Sequence, residues 1–178
     1  MNRIITLLGI FLIVLIGFFV TLWIVSNRGN QTAASFQECL EAGFAVQESY
    51  PRRCVTPDGK TFVEDIGNEL EKINLIKTEL PRPNSVLSSP LIITGQARGS
   101  WFWEAQFPVR LLDGNGNLVS STAAQAQGEW MTADFVPFSA TLTFQKPDTK
   151  KGTLILQKDN PSGLSEHDDA LIIPILFE

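Results

Sequence analysis

The 178-residue chain carries 14 Lys plus Arg against 19 Asp plus Glu, a net charge of −5, with one histidine and two cysteines. Beyond Arg28 the balance is 12 basic residues against all 19 acids. A surface that holds nucleic acid needs a basic patch, so nucleic acid is not an expected partner.

The chain opens with an uncharged run of 22 residues, Ile4 to Val25, flanked by Arg3 and Arg28. At about 1.5 Å per residue, a helix of this length spans a hydrocarbon core of roughly 30 Å. Trp23 stands where an indole reaches the headgroups. The run exceeds the apolar region of a cleaved signal peptide, and the first small pair, Ala33-Ala34, comes late. Residues 1–28 are therefore expected to be a retained single-pass anchor in the cell membrane. Residues 29–35, GNQTAAS, read as a polar tether, with an Asn30-Gln31-Thr32 sequon taken as a chance match.

Residues 36–66 read as a small unit. Phe36, Leu40 and Phe44 suit a short helical face that stops at Gly43, and CVTPDGKTFVE suits a hairpin turning at Pro57-Asp58-Gly59. So small a unit buries little, and Cys39 with Cys54 reads as a disulfide that compensates. An oxidising compartment follows, which places the C-terminal part outside the cytoplasm. The order Cys39, Ala42-Gly43, Tyr50-Pro51, Cys54, Asp58-Gly59 resembles a cysteine motif near the start of many bacterial envelope proteins. Tyr-Pro and Asp-Gly-Lys-Thr-Phe also faintly resemble Kazal-type inhibitors, whose three disulfides this chain lacks. Residues 67–72 read as a hydrophilic linker continuing the acidic stretch from Glu64. Arg52-Arg53 and Lys150-Lys151 read as solvated turns.

From residue 73 the texture is short strands: INLIKTEL, PLIITGQA, FPVRLLD, LVSSTAAQA, SATLTFQ, GTLILQKD and ALIIPILF. Phe107, Val109 and Leu111 share one face, as do Ala140, Leu142 and Phe144, and also Leu154 and Leu156. Seven such strands without a long helix predict an antiparallel β-sandwich over 73–178, a mainly β fold. Pro108 and Pro174 lack an amide donor, which predicts edges or bulges for their strands.

The residues Ser89-Pro90-Leu91, Thr94-Gly95-Gln96-Ala97, Trp103-Glu104-Ala105 with Phe107, Val109-Arg110-Leu111, Asp113-Gly114, Gly116, Pro137-Phe138, Gly152 and Ile173-Pro174-Ile175 occur in one order. In that order they resemble the Gmad2 domain, an immunoglobulin-like domain of bacterial spore germination proteins. The resemblance implies an Ig-like fold in a cell-envelope protein and neither a reaction nor a ligand. The GerMN repeat that often accompanies the domain has no match here.

Catalytic groups, metals and cofactors are not expected. His167 lacks a nucleophile elbow to serve, and its neighbours Glu166, Asp168 and Asp169 suit a solvated loop. Asp113-Gly-Asn115-Gly-Asn117 starts like a calcium loop but has Leu118 at the glycine position and Ala124 at the glutamate position, so a hairpin turn is expected. Trp101, Phe102 and Trp103, with Trp130 downstream, are read first as a core plug in which one of Trp101 and Trp103 lies inside and Phe102 faces the other way. The alternative is a surface where Trp101, Trp103 and Trp130 stack on cell-wall glycan and Glu104 accepts hydroxyl hydrogen bonds. The expected function is a non-enzymatic envelope protein that binds another envelope protein or peptidoglycan, or has a structural role.

Overall fold

The computed structural model describes residues 16–17 and 32–178. Ile16 and Gly17 are helical, and the rest of the expected anchor lies outside the described residues. Among the described residues no helix is long and apolar enough to cross a membrane. The chain divides into two units, the first ending at Glu64 and the second running from Asp65 to Glu178.

In the first unit, helix α1 (Phe36–Glu41) begins at Ser35, whose hydroxyl accepts from the Glu38 amide and so satisfies one orphan donor of the first turn. Gly43 takes φ +71° just past its end, where a side chain would be strained. Three antiparallel strands follow: β1 (Ala45–Gln47), β2 (Arg53–Val55) and β3 (Thr61–Val63). The β2–β3 hairpin is the expected one, and β1 is an addition to it. Cys39 and Cys54 are bonded and fully buried, joining α1 to the central strand. A loop of this length stabilises the unit by about 3 kcal/mol in the chain-entropy picture. Arg52 is no solvated turn residue. Its Nε and Nη2 donate to the two oxygens of buried Glu64 at 2.9 and 2.6 Å, and that hydrogen bonding raises the guanidinium pKa further.

The second unit is one eight-stranded sheet. Its strands are β4 (Ile76–Leu80), β5 (Val86–Leu87), β6 (Leu91–Arg98), β7 (Gln106–Asp113), β8 (Leu118–Ala126), β9 (Phe135–Leu142), β10 (Lys151–Gln157) and β11 (Ala170–Phe177). They lie in the order β4-β6-β9-β8-β7-β10-β11-β5. All pairs are antiparallel except β11 with β5. The extra strand β5 lies within a stretch expected to be only turn, and β9 begins at Phe135 instead of at Ser139.

Alternate residues of the long strands other than β8 enter one core, including Ile93 and Ala97 of β6, Phe107, Val109 and Leu111 of β7, Leu154 and Leu156 of β10, and Leu171, Ile173 and Ile175 of β11, while β8 buries Ala124 alone. A sheet with one apolar face and only short helices must fold its own halves together to keep that face dry. The fold occurs at β8, which pairs with β7 along its length but with β9 only at Gln125 and Ala126. Phe107 of β7 and Phe138 of β9 then meet edge to face at 5.0 Å.

The residues read as a linker belong to this unit. Helix α2 (Glu69–Lys72) packs beside β11, with Lys72 Nζ 2.6 Å from Asp169. Glu69 is buried and receives Arg82 Nη1 at 2.9 Å. Desolvation holds its carboxyl above the usual range despite the opposing pull of Arg82.

The outer edge of β11 is sealed. Ile172 N donates to Asn68 Oδ1 at 2.8 Å, Asn68 Nδ2 donates to Ala170 O at 2.9 Å, and Asn68 N donates to Ile172 O at 3.3 Å. Asn84 N reaches Pro174 O at 2.7 Å, and Leu176 N reaches Ser85 O at 3.0 Å. Pro174 therefore sits at an edge, as its missing donor requires. Pro108 departs from that expectation: it lies in interior strand β7, one residue beyond Val109, where pairing with β10 stops. Gly67 lets the covering segment approach, because a Cβ there would stand 1.9 Å from Ile172 O, and its φ is +66°.

Asn68→Ala removes two of these hydrogen bonds and reopens the edge. It should cost about 1–3 kcal/mol in denaturant unfolding and speed amide exchange at Ile172. Unchanged exchange at Ile172 would contradict this role.

Candidate functional site

The site lies at the end of the sheet where three loops meet: 99–105 between β6 and β7, 127–134 between β8 and β9, and 158–169 between β10 and β11. Gly99 abuts the carbonyls of Trp130 and Thr132, and Asp159 N donates to Trp101 O at 3.0 Å, which ties the three together.

The aromatic run does not follow strand alternation. Gly99–Trp101 forms a 3-10 turn, so Trp101 (1% exposed) and Phe102 (4%) both enter the core. Phe102 meets Phe107 at 5.2 Å. This corrects the expectation that Phe102 faces away from the buried indole, because a turn of three residues re-aims two successive side chains. The Trp101 indole N–H has no hydrogen-bond partner among the described residues, so this side chain contributes volume and not polar contact. Trp130 is half-buried against the same core.

Trp103 points the other way and is 49% exposed. It flanks a two-residue turn with Gln106: Trp103 N donates to Gln106 O at 2.9 Å, and Gln106 N donates to Trp103 O at 3.0 Å. The central residues, Glu104 (φ 49°) and Ala105 (φ 63°), are both left-handed. That is the geometry which favours Asn-Gly, and it costs non-glycine residues about 1 kcal/mol each. The turn is held in place by Ala126 N donating to Ala105 O at 2.8 Å. Paired residues of an antiparallel ribbon project from one face, so Trp103, Gln106 and Gln125 form a row, with Gln125 Nε2 donating to Gln106 Oε1 at 3.0 Å. Met131 (74% exposed) and Leu164 (52%) lie on the neighbouring loops.

The structure thus separates the four candidates Trp101, Trp103, Glu104 and Trp130. Trp103 and Glu104 are exposed together on the turn, while Trp101 is unavailable for stacking. Gln106, Gln125 and Asp159 were not legible as site residues, since only the strand register places them beside Trp103.

The other candidates are accounted for by loop structure. Asp113 Oδ1 accepts from the amides of Asn115 and Asn117, each at 2.8 Å, and Oδ2 accepts from Asn117 Nδ2 at 3.0 Å. These bonds, led by the Asn117 side chain, hold its carboxyl below the usual range, and the segment is the β7–β8 turn. His167 is exposed, Asp168 accepts from Asn160 Nδ2 at 2.8 Å, and Asp169 pairs with Lys72. Among the described residues no group of three or more His, Cys, Asp or Glu could hold a metal.

Burial predicts opposite outcomes for the two flanking tryptophans. Trp101→Ala should cost about 3–5 kcal/mol, with Trp101→Phe recovering part of it, whereas Trp103→Ala should stay within about 0.5 kcal/mol. Equal losses in thermal unfolding would refute the inward and outward assignment.

The model of the family described as "Immunoglobulin-like domain of bacterial spore germination" matches residues 75–165, from the residue before β4 to the β10–β11 loop. No curated protein and no solved structure matches the chain. The chain belongs to the Gmad2 family of immunoglobulin-like domains of bacterial spore germination.

Proposed function

We propose that the chain is a non-enzymatic, membrane-anchored accessory protein of the bacterial cell envelope, whose Gmad2 domain docks a partner envelope protein on the outer side of the membrane. The uncharged run from Ile4 to Val25 supports the anchor, and the buried Cys39–Cys54 disulfide supports an oxidising compartment. The family supports a role connected with spore germination.

The observation that carries the docking reading is the turn at Glu104 and Ala105. Two non-glycine residues hold a left-handed backbone there, and the turn sets a large indole half in water instead of in the core. Strain of this kind persists where something other than stability selects it. Half-exposed tryptophan with exposed Met131 and Leu164 nearby has the composition of an interface centre. The glycan reading has less support, since Trp101 is buried and Trp130 half-buried, leaving one well-exposed indole of the three.

The test places a photo-activated benzophenone amino acid at Met131 of the full chain in native cells, and at Leu118 on the opposite end as control. A discrete adduct with an envelope protein should form from position 131, be absent from position 118, and disappear when Trp103→Ala is added. Identical patterns from both positions, or no adduct from 131, would overturn docking through this end.

A further inference from the structure

A solvent-open cavity of about 120 Å³, lined by Gln106, Phe107, Pro108, Thr122, Ala123 and Asp159, adjoins the pairing partner of Trp103, Gln106. It sits on the outer face of the β7–β8 ribbon. Pro108 pairs with Ala123 to form its floor, and the Gln106–Gln125 rung separates it from the Trp103 turn. We infer that this cavity, together with Trp103, receives a lysine or arginine side chain of the docked protein; the inference rests on the docking reading above.

Three observations point to a cation. The first is Asp159, which is half-buried at the cavity wall and whose carboxylate takes no hydrogen bond or ion pair from a described residue. A half-buried carboxylate without a partner forfeits part of its hydration, and an incoming cation restores that loss. The second is the exposed indole of Trp103, the pairing partner of Gln106, which offers a π-face to a cation. The third is the field. The three loops at this end hold seven acidic residues, Glu104, Glu129, Asp134, Asp159, Glu166, Asp168 and Asp169, against Lys158, with Lys72 paired to Asp169 and Arg98 held against the 127–134 loop. At the opposite end, residues 81–90, 114–117 and 143–150 hold Arg82, Lys146 and Lys150 against Asp148. The negative charge is thus concentrated where the cavity opens, which steers a basic partner to it.

The lining favours a side chain over a sugar: a single carboxylate at the wall suits one cationic head, and Pro108 with Ala123 gives an aliphatic stem an apolar floor. The stem would lie over Pro108 and Ala123 while the charged head meets Asp159.

The test uses the full chain in detergent micelles, with the four indole N–H signals assigned by single Trp→Phe variants. The probes are acetyl-Gly-Lys-Gly-amide, the same peptide with norleucine for lysine, and the trisaccharide of N-acetylglucosamine. The lysine peptide should shift the Trp103 indole signal in a saturable, salt-sensitive way, the norleucine peptide should bind at least tenfold more weakly, and Asp159→Asn should weaken the lysine peptide by a similar factor with an unchanged far-UV spectrum. Equal binding of the norleucine peptide, undiminished binding by the Asp159→Asn variant, or a response to the trisaccharide alone would overturn the cationic pocket. A cross-link from position 131 that survives such a failure would leave the docking reading standing.

Discussion

The second unit depends on one constraint: a sheet with an apolar face must keep that face out of water, and among the described residues no long helix lies on it. Eight strands meet the constraint by folding the sheet back on itself at β8, where pairing with β9 shrinks to two residues. The Phe107–Phe138 edge-to-face contact and buried Trp101 fill the space between the halves. The proposed contact surface follows from that closure, because the loops joining the strands are gathered at the two ends. One end receives the exposed indole and seven acidic residues.

Closing the core leaves the outermost strands to be dealt with, and the chain treats them differently. The outermost strand β5 pairs only with the end of β11, and a short acidic segment seals the rest, where Asn68 supplies a donor and an acceptor from its side chain in place of a neighbouring strand. The other outer strand, β4, is short and irregular between Thr78 and Leu80, and Arg82 Nη1 donates to the Thr78 carbonyl at 3.1 Å. Both devices blunt edge-to-edge association. They leave the loop end as the surface to which we assign the proposed contact.

Much of this architecture was legible in the sequence. Alternation at Phe107, Val109 and Leu111 identified core positions, and two cysteines in a small polar unit identified the staple. What stayed hidden has physical reasons. The Gly99–Trp101 turn changes the period from two to three, so Phe102 follows Trp101 inward. Asn68 seals an edge over a hundred residues away in sequence, and no local pattern encodes that pairing. Glu64 and Glu69 looked like parts of a solvated acidic strip, yet each is buried against an arginine, Arg52 and Arg82. Val86–Leu87 is too short to carry any alternation. Asp159 and Gln106 acquire meaning only from register.

The central claim is that a rigid sheet holds a strained turn for display. The direct measurement is the stability of the double variant Glu104→Asn with Ala105→Gly, followed by denaturant unfolding and by acrylamide quenching of Trp103 in a chain whose other tryptophans are phenylalanine. Residues suited to a left-handed backbone should raise stability by about 1 kcal/mol and leave the indole as accessible as before. A less stable double variant, or a Trp103 that becomes shielded, would contradict the account.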